Sequence, residues 1–446
     1  MDQRKSFKIS SASFLLLLLI PFFSLLAQEL KLDIKKNVLD NGLTILTCED
    51  KSAPTISYMT FINAGSREEK PGTTGLAHIF EHMMFRGTKE YPDYDKAVTS
   101  FGANTNASTG EDYTSYFVNV KKDYLEKIIP IEADRVRNLA FTNEAFRMEM
   151  GPVKEERRRG VVDDPDGFIW DELVQTAYQV HPYHHPVIGF EEDLEKNIQV
   201  QDGLDFKRNF YSPGYTTIVV TGNFDTPKVL ELVKKYYGDW QKTPPPDLRI
   251  PAEPKQTKER VKNYVWKDSE ISPKLLIAFH GPNFEIKDDD YCALELAARI
   301  LFMSSGRLTK KLYNDLQLVE YISGGMEDRK DPGLFEISTS LKRGKSIDEV
   351  KPLILEELEK LKNEPVSERE LEKAKNSVKA EMIYRMDNPL SVAYTIGHFQ
   401  IEGGDYNMLF EIQKKYSEVT PEMIQQVAKK YLNPENRTVL TLLPKK

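Results

Sequence analysis

The alternation of apolar and polar residues divides the chain into strands and helices whose order nearly repeats. In the first half, 42–50 (GLTILTCED) and 55–65 (TISYMTFINAG) read as strands, followed by helices over about 74–84 and 94–101. The segment 114–120 (TSYFVNV) returns to a strand pattern, 125–140 is an amphipathic helix and 143–159 a further one. A strand over 216–224 (TTIVVTGNF) and a helix over 227–237 complete this half. Downstream, the strand 274–282 precedes a helix over 291–303, and the strand 334–341 precedes a helix over 347–363. SERELEKAKNSVKAEMIYRMDNP then parallels TNEAFRMEMGPVKEERRRGVVDDP, with Val153–Glu156 against Val378–Glu381. The pattern predicts an α+β chain built by internal duplication, each domain a mostly antiparallel sheet packed with helices.

The boundary between the halves is a change of composition. Residues 241–260 are rich in proline and poor in apolar periodicity, which reads as an extended, partly stiff linker between a domain over 28–240 and a second over 261–446. Ahead of both, Arg4, Lys5 and Lys8 precede an apolar run from Phe14 to Leu26 that ends at Ala27, the pattern of a signal peptide over 1–27. As a helix that run spans about 20 Å, short of the roughly 30 Å hydrocarbon core, so no stable membrane span is expected after cleavage. Export then places the mature protein in the periplasm, if the source is a double-membraned bacterium. A retained anchor is the alternative.

The 446 residues carry 61 Lys and Arg against 69 Asp and Glu, a net charge of -8, which offers no electrostatic footprint for nucleic acid. The two cysteines, Cys48 and Cys292, lie in or beside apolar runs and read as buried hydrophobes, not as a disulfide framework. No glycine-rich phosphate loop occurs.

The candidate chemistry lies in GLAHIFEHMMFRGT. His78 and His82, one turn apart on a helix, share a face with Glu81, and Ile79, Phe80, Met83 and Met84 supply buried surroundings. Two neutral imidazoles suit Zn²⁺, and the carboxylate can take a proton from water activated by the metal. At the equivalent place in the second half, counting back from Gly87 and Gly306, stand Ala297, Ile300 and Leu301, so the repeated scaffold does not need the polar set for packing. A catalytic zinc usually takes a third protein ligand, and the helix over 143–159 offers Glu149, Glu155 and Glu156. Glu149 and Glu156 share a face and Glu155 points about 100° away, but spacing alone does not choose among them. His181, His184 and His185 lie in a loop whose prolines do not bring three rings together, and His280 and His398 are isolated.

GLAHIFEHMMFRGT, GANTNASTGEDYTSYF, the E-x6-E helix before VDDP, HPYHHPVIG and FYSPGYTTIVVTGNF resemble, in order and spacing, the pitrilysin-type zinc peptidases that include mitochondrial processing peptidase and insulin-degrading enzyme. The likeness covers nearly the whole mature chain. It implies one zinc ion per chain on His78, His82 and Glu156, with Glu81 as general base and Glu149 as the supporting catalytic acid. It also implies a processing-peptidase-like fold of two α/β domains, an extended peptide substrate that adds as a strand at Asn106 and Ala107, and a closed chamber formed by a homo- or heterodimer of half-length chains. Members that work alone carry an arginine and a tyrosine in the second half. Here Tyr313 stands at the arginine position, with Tyr321 as the tyrosine and Arg307 displaced by six residues, so a partner subunit is expected to supply the pair. The rival expectation is a non-catalytic peptide-binding or assembly subunit, since scaffold alone does not carry function.

Overall fold

The computed structural model describes residues 32–287 and 289–446, and those from 33 onward form one compact unit. The expected signal peptide, 1–27, lies outside the described residues. No helix among the described residues is long and apolar enough to cross a membrane.

The first half contains strands β1 Ile34–Val38, β2 Thr44–Glu49, β3 Thr55–Ile62, β4 Asn104–Thr109, β5 Thr114–Lys121 and β6 Thr216–Gly222. Its helices are α1 Leu76–Met83, α2 Tyr94–Thr99, α3 Leu125–Asn138, α4 Asn143–Arg157, α5 Pro165–Ala177, α6 Val200–Phe210 and α7 Thr226–Tyr237. The second half adds strands β7 Arg260–Val265, β8 Lys274–His280, β9 Val319–Met326, β10 Leu334–Leu341 and β11 Arg437–Leu443. Its helices are α8 Asp290–Phe302, α9 Ile347–Asn363, α10 Glu368–Tyr384, α11 Pro389–Ile401, α12 Met408–Glu418 and α13 Pro421–Tyr431.

Two sheets result, ordered β1-β2-β6-β3-β5-β4 and β7-β11-β8-β10-β9. Each has one parallel pair, β2 with β6 and β7 with β11, in an otherwise antiparallel ladder. The α+β class with two sheets follows from the strands that the apolar runs mark. The pattern alone does not mark β1, β4, β7, β9 and β11. The reason is visible in β4, whose residues alternate between exposed and half-buried at the sheet edge, with Asn104, Asn106 and Ser108 turned outward.

β3 is buried along nearly its whole length, which requires cover on both faces of the sheet. Ile56 and Tyr58 pack with Ile218 and Val220 beneath α3 and α7. The opposite face is covered by α11, from the other half of the chain: a Cβ on Gly397 would stand 2.0 Å from the Phe61 ring, so only glycine admits this approach. Thr221 Oγ1 donates to the Pro389 carbonyl at 2.5 Å at the start of the same helix. The reverse exchange occurs on the second sheet, where Ile169, Leu173 and Ala177 of α5 pack on Leu276, Ala278, Leu440 and Leu442. Each half therefore lends one helix to the other's sheet, and the proline-rich connector is pinned as well. The Glu253 carboxylate accepts the backbone N–H groups of Gln179, Val180 and His181 at 2.9, 3.0 and 3.1 Å. Gln256 donates to the Arg437 carbonyl at 2.8 Å.

Candidate metal centre

α1 is set at a fixed angle by its first turn. Gly75 takes a φ of +97°, and the Gly75 and Ala77 N–H groups, free at a helix start, donate to the buried Glu69 carboxylate at 2.8 and 2.7 Å. Leu76, Ile79, Phe80 and Met83 then sink into a cluster with Phe146, Val153, Phe206 and Tyr211, the Phe80 ring lying 5.0 Å from that of Tyr211. The other stripe of the helix, carrying His78, Glu81 and His82, is left facing α4 and the edge strand β4.

On α4, Phe146 and Val153 anchor the buried face. Seven residues separate Glu149 from Glu156, so both lie toward α1. Glu156 Oε2 stands 3.6 Å from His78 Nε2 and 3.3 Å from His82 Nε2, and the imidazole rings meet edge to face at 4.8 Å. The three candidate ligand atoms lie within 4.8 Å of one another, the only group of this kind among the described residues. Glu155 turns away, pairing with Arg158 and Arg159, whose hydrogen bonds hold its carboxyl down to about 2. Of the three glutamates that spacing left open, Glu156 therefore faces the imidazoles. Glu149 faces the other nitrogen of His82, its Oε2 3.4 Å from Nδ1, and is held in turn by the Arg86 guanidinium. α4 ends in a π-helical turn over Arg158–Val162, and Arg157 pairs with Asp171 of α5 at 3.1 Å.

The donor set fits a divalent ion. Two nitrogens and one oxygen bound at about 2.0–2.1 Å in a tetrahedron are separated by roughly 3.3 Å, close to the spacing of the Nε2 and Oε2 atoms here. Burial, opposed by Glu156, brings His78 down to about 4, so its imidazole is neutral and its lone pair available near neutral pH. Burial raises the Glu81 carboxyl, against a hydrogen bond from Thr109 Oγ1 to Oε2 at 2.6 Å and the neighbouring His82, which lower it. Glu81, His82, Glu149 and Asn106 line one open cleft together with Phe85 and Arg86. Asn106 and Ala107 stand on β4, whose outer edge carries no further strand among the described residues.

Other histidines have partners elsewhere. His181 Nε2 lies 3.0 Å from Asp331, His184 Nδ1 3.0 Å from the His181 carbonyl and His185 Nδ1 3.3 Å from the Pro186 carbonyl. His280 Nε2 lies 2.8 Å from the Ala177 carbonyl and His398 Nε2 3.0 Å from Asp328. Cys48 on β2 and Cys292 on α8 are buried. Tyr313 is exposed, Tyr321 lies exposed on β9, and Arg307 grips Glu370 through two hydrogen bonds of 2.7 and 2.8 Å. None of these three lines the cleft at His82.

Sequence reasoning missed Glu69, Thr109 and Arg86. Thr109 and Arg86 stand inside the motif segments themselves, but a hydroxyl on an edge strand and a guanidinium one turn past His82 have no periodic signature. In the second half, Ala297, Ile300 and Leu301 are buried in the apolar face of α8.

Residues 44–190 match the family described as Insulinase (Peptidase family M16), and 197–378 match Peptidase M16 inactive domain. The zinc protease PqqE of Helicobacter pylori is 29% identical over 416 residues, which is 91% of this chain and 92% of that protein. The probable mitochondrial-processing peptidase subunit beta of Arabidopsis thaliana is 25% identical over 91% of this chain and 77% of its own length. The crystal structure of a protease from Helicobacter pylori superimposes with a TM-score of 0.87 at 27% identity, covering 93% of this chain and all of that one. Matches adjoining along most of the sequence, on a shared two-sheet fold, make this chain a member of the M16 peptidase family.

Proposed function

We propose that this chain is a zinc metalloendopeptidase that hydrolyses extended peptides. The observation that carries this reading is the meeting of His78, His82 and Glu156 at one point, with Glu81 on the same stripe of α1 and an open strand edge alongside. One zinc ion would be held by the two imidazoles and the Glu156 carboxylate, and when bound it acidifies water and polarises a scissile carbonyl. Glu81 takes the proton of the attacking water and passes it to the leaving amine, steadied by the Thr109 hydroxyl on one carboxylate oxygen. Glu149 fixes the His82 ring through Nδ1, directing Nε2 into the site, and Arg86 fixes Glu149. The backbone of β4 at Asn106 and Ala107 pairs with the substrate as an added strand, which gives affinity without demanding one side chain.

The further parts of this reading are export to the periplasm, supported by the basic start and apolar run before Gln28, and work as a dimer of half-length chains around an enclosed chamber. A partner copy or subunit then supplies the arginine and tyrosine. The absence of an arginine at Tyr313 and the engagement of Arg307 by Glu370 support this, and the Arabidopsis relative is itself named a subunit.

Metal analysis and peptide digestion of the mature protein, repeated with Glu81→Gln, test the assignment. About one zinc per chain in both proteins and cleavage only by the unaltered one is expected. Zinc without cleavage by either protein, alone or paired, would instead make it a non-catalytic subunit.

A further inference from the structure

β4 ends at Thr109, the residue whose hydroxyl holds Glu81, and the chain then turns through Gly110, Glu111, Asp112 and Tyr113 into β5. Because β4 pairs on one side only, the placing of its last residue depends on what fixes this turn. Contacts from both halves of the chain fix it. From the first half, the Ser66 and Arg67 N–H groups donate to the Gly110 and Glu111 carbonyls at 3.2 and 2.8 Å. Tyr183 Oη lies 2.8 Å from each Asp112 carboxylate oxygen and donates to them.

The second half contributes the loop between β9 and β10. Arg329 pairs with Glu111 at 2.8 Å, and the Lys330 backbone N–H donates to Asp112 Oδ2 at 3.2 Å. The Lys330 ammonium donates to the Asp112 carbonyl at 2.7 Å and to Asn63 Oδ1, just past the end of β3, at 2.5 Å. Alongside, the hydroxyls of Tyr113 and Tyr394 on α11 meet at 2.8 Å at the wall of a cavity between the halves. Asp112 is 1% exposed, so its carboxylate and carbonyl oxygens must be satisfied by the protein itself. The same loop reaches the other support of the site: Asp331 accepts from Arg67, two residues before the Glu69 that caps α1.

We propose that Lys330, from the half that holds none of His78, His82 and Glu156, is a positioning residue for peptide hydrolysis: by fixing the turn after β4 it keeps the Thr109 hydroxyl on Glu81. Its ammonium joins a carbonyl of the turn to a side chain at the end of β3, so the turn is held against the body of the first sheet and cannot swing with the edge strand. The Thr109 bond to Glu81 is made at 2.6 Å, and a displacement of about 1 Å is enough to lose it. A misplacement of that size near a reacting group costs up to about 100-fold in rate. The zinc ligands stand on α1 and α4 and are not held by this turn, so metal binding and base placement respond to different contacts.

The inference rests on the hydrolase reading with Glu81 as base, and a double-mutant cycle tests it. Zinc content, kcat and KM for an internally quenched peptide are measured on the full chain, with its partner present if cleavage requires one. The variants are Thr109→Val, Lys330→Met and the two together. Each single change should lower kcat about tenfold, with KM moving less than about threefold and zinc content unchanged. The double variant should match Thr109→Val within about twofold, because Lys330 then has no hydroxyl left to place. Lys330→Gln, one atom shorter but still a donor, gives a second reading should Lys330→Met fail to fold. A Lys330 variant as fast as the unaltered chain, or losses that multiply to about a hundredfold in the double variant, overturn the assignment. Amide hydrogen exchange supplies a readout that needs no activity: the Lys330 change should speed exchange across 104–121 about tenfold or more while leaving 143–157 as before. Unchanged exchange there also overturns it. Faster exchange in a chain that cleaves no peptide leaves Lys330 as the anchor of β4 and removes the hydrolase reading.

Discussion

His82 is held from both sides, by Glu156 at one ring nitrogen and by Glu149 at the other. This arrangement gives the two glutamates different consequences although they lie seven residues apart on one helix. Glu156→Ala removes a proposed ligand and should abolish zinc binding. Glu149→Ala removes only the partner that orients the imidazole, and should weaken zinc binding about 10–100-fold, with cleavage recovering at high zinc. Competition against a chromogenic chelator measures both. Helical geometry alone could place Glu149 and Glu156 together and Glu155 apart, since successive side chains turn by about 100°. It could not say which of the first two met the imidazoles, because that depends on how far along its axis α4 lies against α1.

The exchange of α5 and α11 between the sheets is the element-scale feature that periodicity did not reveal. α11 is apolar on nearly all sides because one face covers β3 and β6 and another lines the cavity between the halves. A helix without a polar face has no stripe for a sequence reading to detect. Its seat on the first sheet depends on Gly397, whose missing side chain admits the Phe61 ring. Gly397→Ala should cost about 1–3 kcal/mol in denaturant unfolding through overpacking, while the folded protein still binds zinc. The gain in helix propensity from the same change, about 1 kcal/mol, works against this, and the clash of the added Cβ with the Phe61 ring is the larger effect.

Across the whole molecule, the halves are tied by the β9–β10 loop as well as by the exchanged helices. Asp331 accepts from Arg67 Nε at 2.5 Å and lies 3.0 Å from His181 Nε2. Burial raises its carboxyl, but these hydrogen bonds and the Arg67 charge outweigh it and bring the group to about 2, below the ordinary 3.8. A carboxyl whose folded value is the lower one contributes stability above its unfolded value and loses it as pH falls through the folded value. The contribution from Asp331 should therefore be complete above about pH 4 and fade between about pH 4 and 2. Its size is about 1–2 kcal/mol once partial exposure and solvent screening are allowed for. Asp331→Asn should lower stability at pH 7 by that amount and flatten this part of the acid-unfolding curve, as followed by circular dichroism.

What the sequence determined by itself was local. His78, Glu81 and His82 fall within one helical turn, so their convergence follows from the rise and rotation of an α-helix once Leu76, Ile79, Phe80 and Met83 choose the buried side. The long apolar strands and the repeated order of elements were legible for the same reason, since period and composition act over a few residues at a time. Spacing left open which glutamate faces the imidazoles, although the family resemblance pointed to Glu156, and tertiary structure decided it, as it decided that Thr109 holds Glu81, that Glu69 caps α1, and which half covers which sheet. Each of these is a contact between segments distant in the chain, chosen by shape, burial and hydrogen-bond satisfaction across packed surfaces, and no spacing along the backbone encodes it.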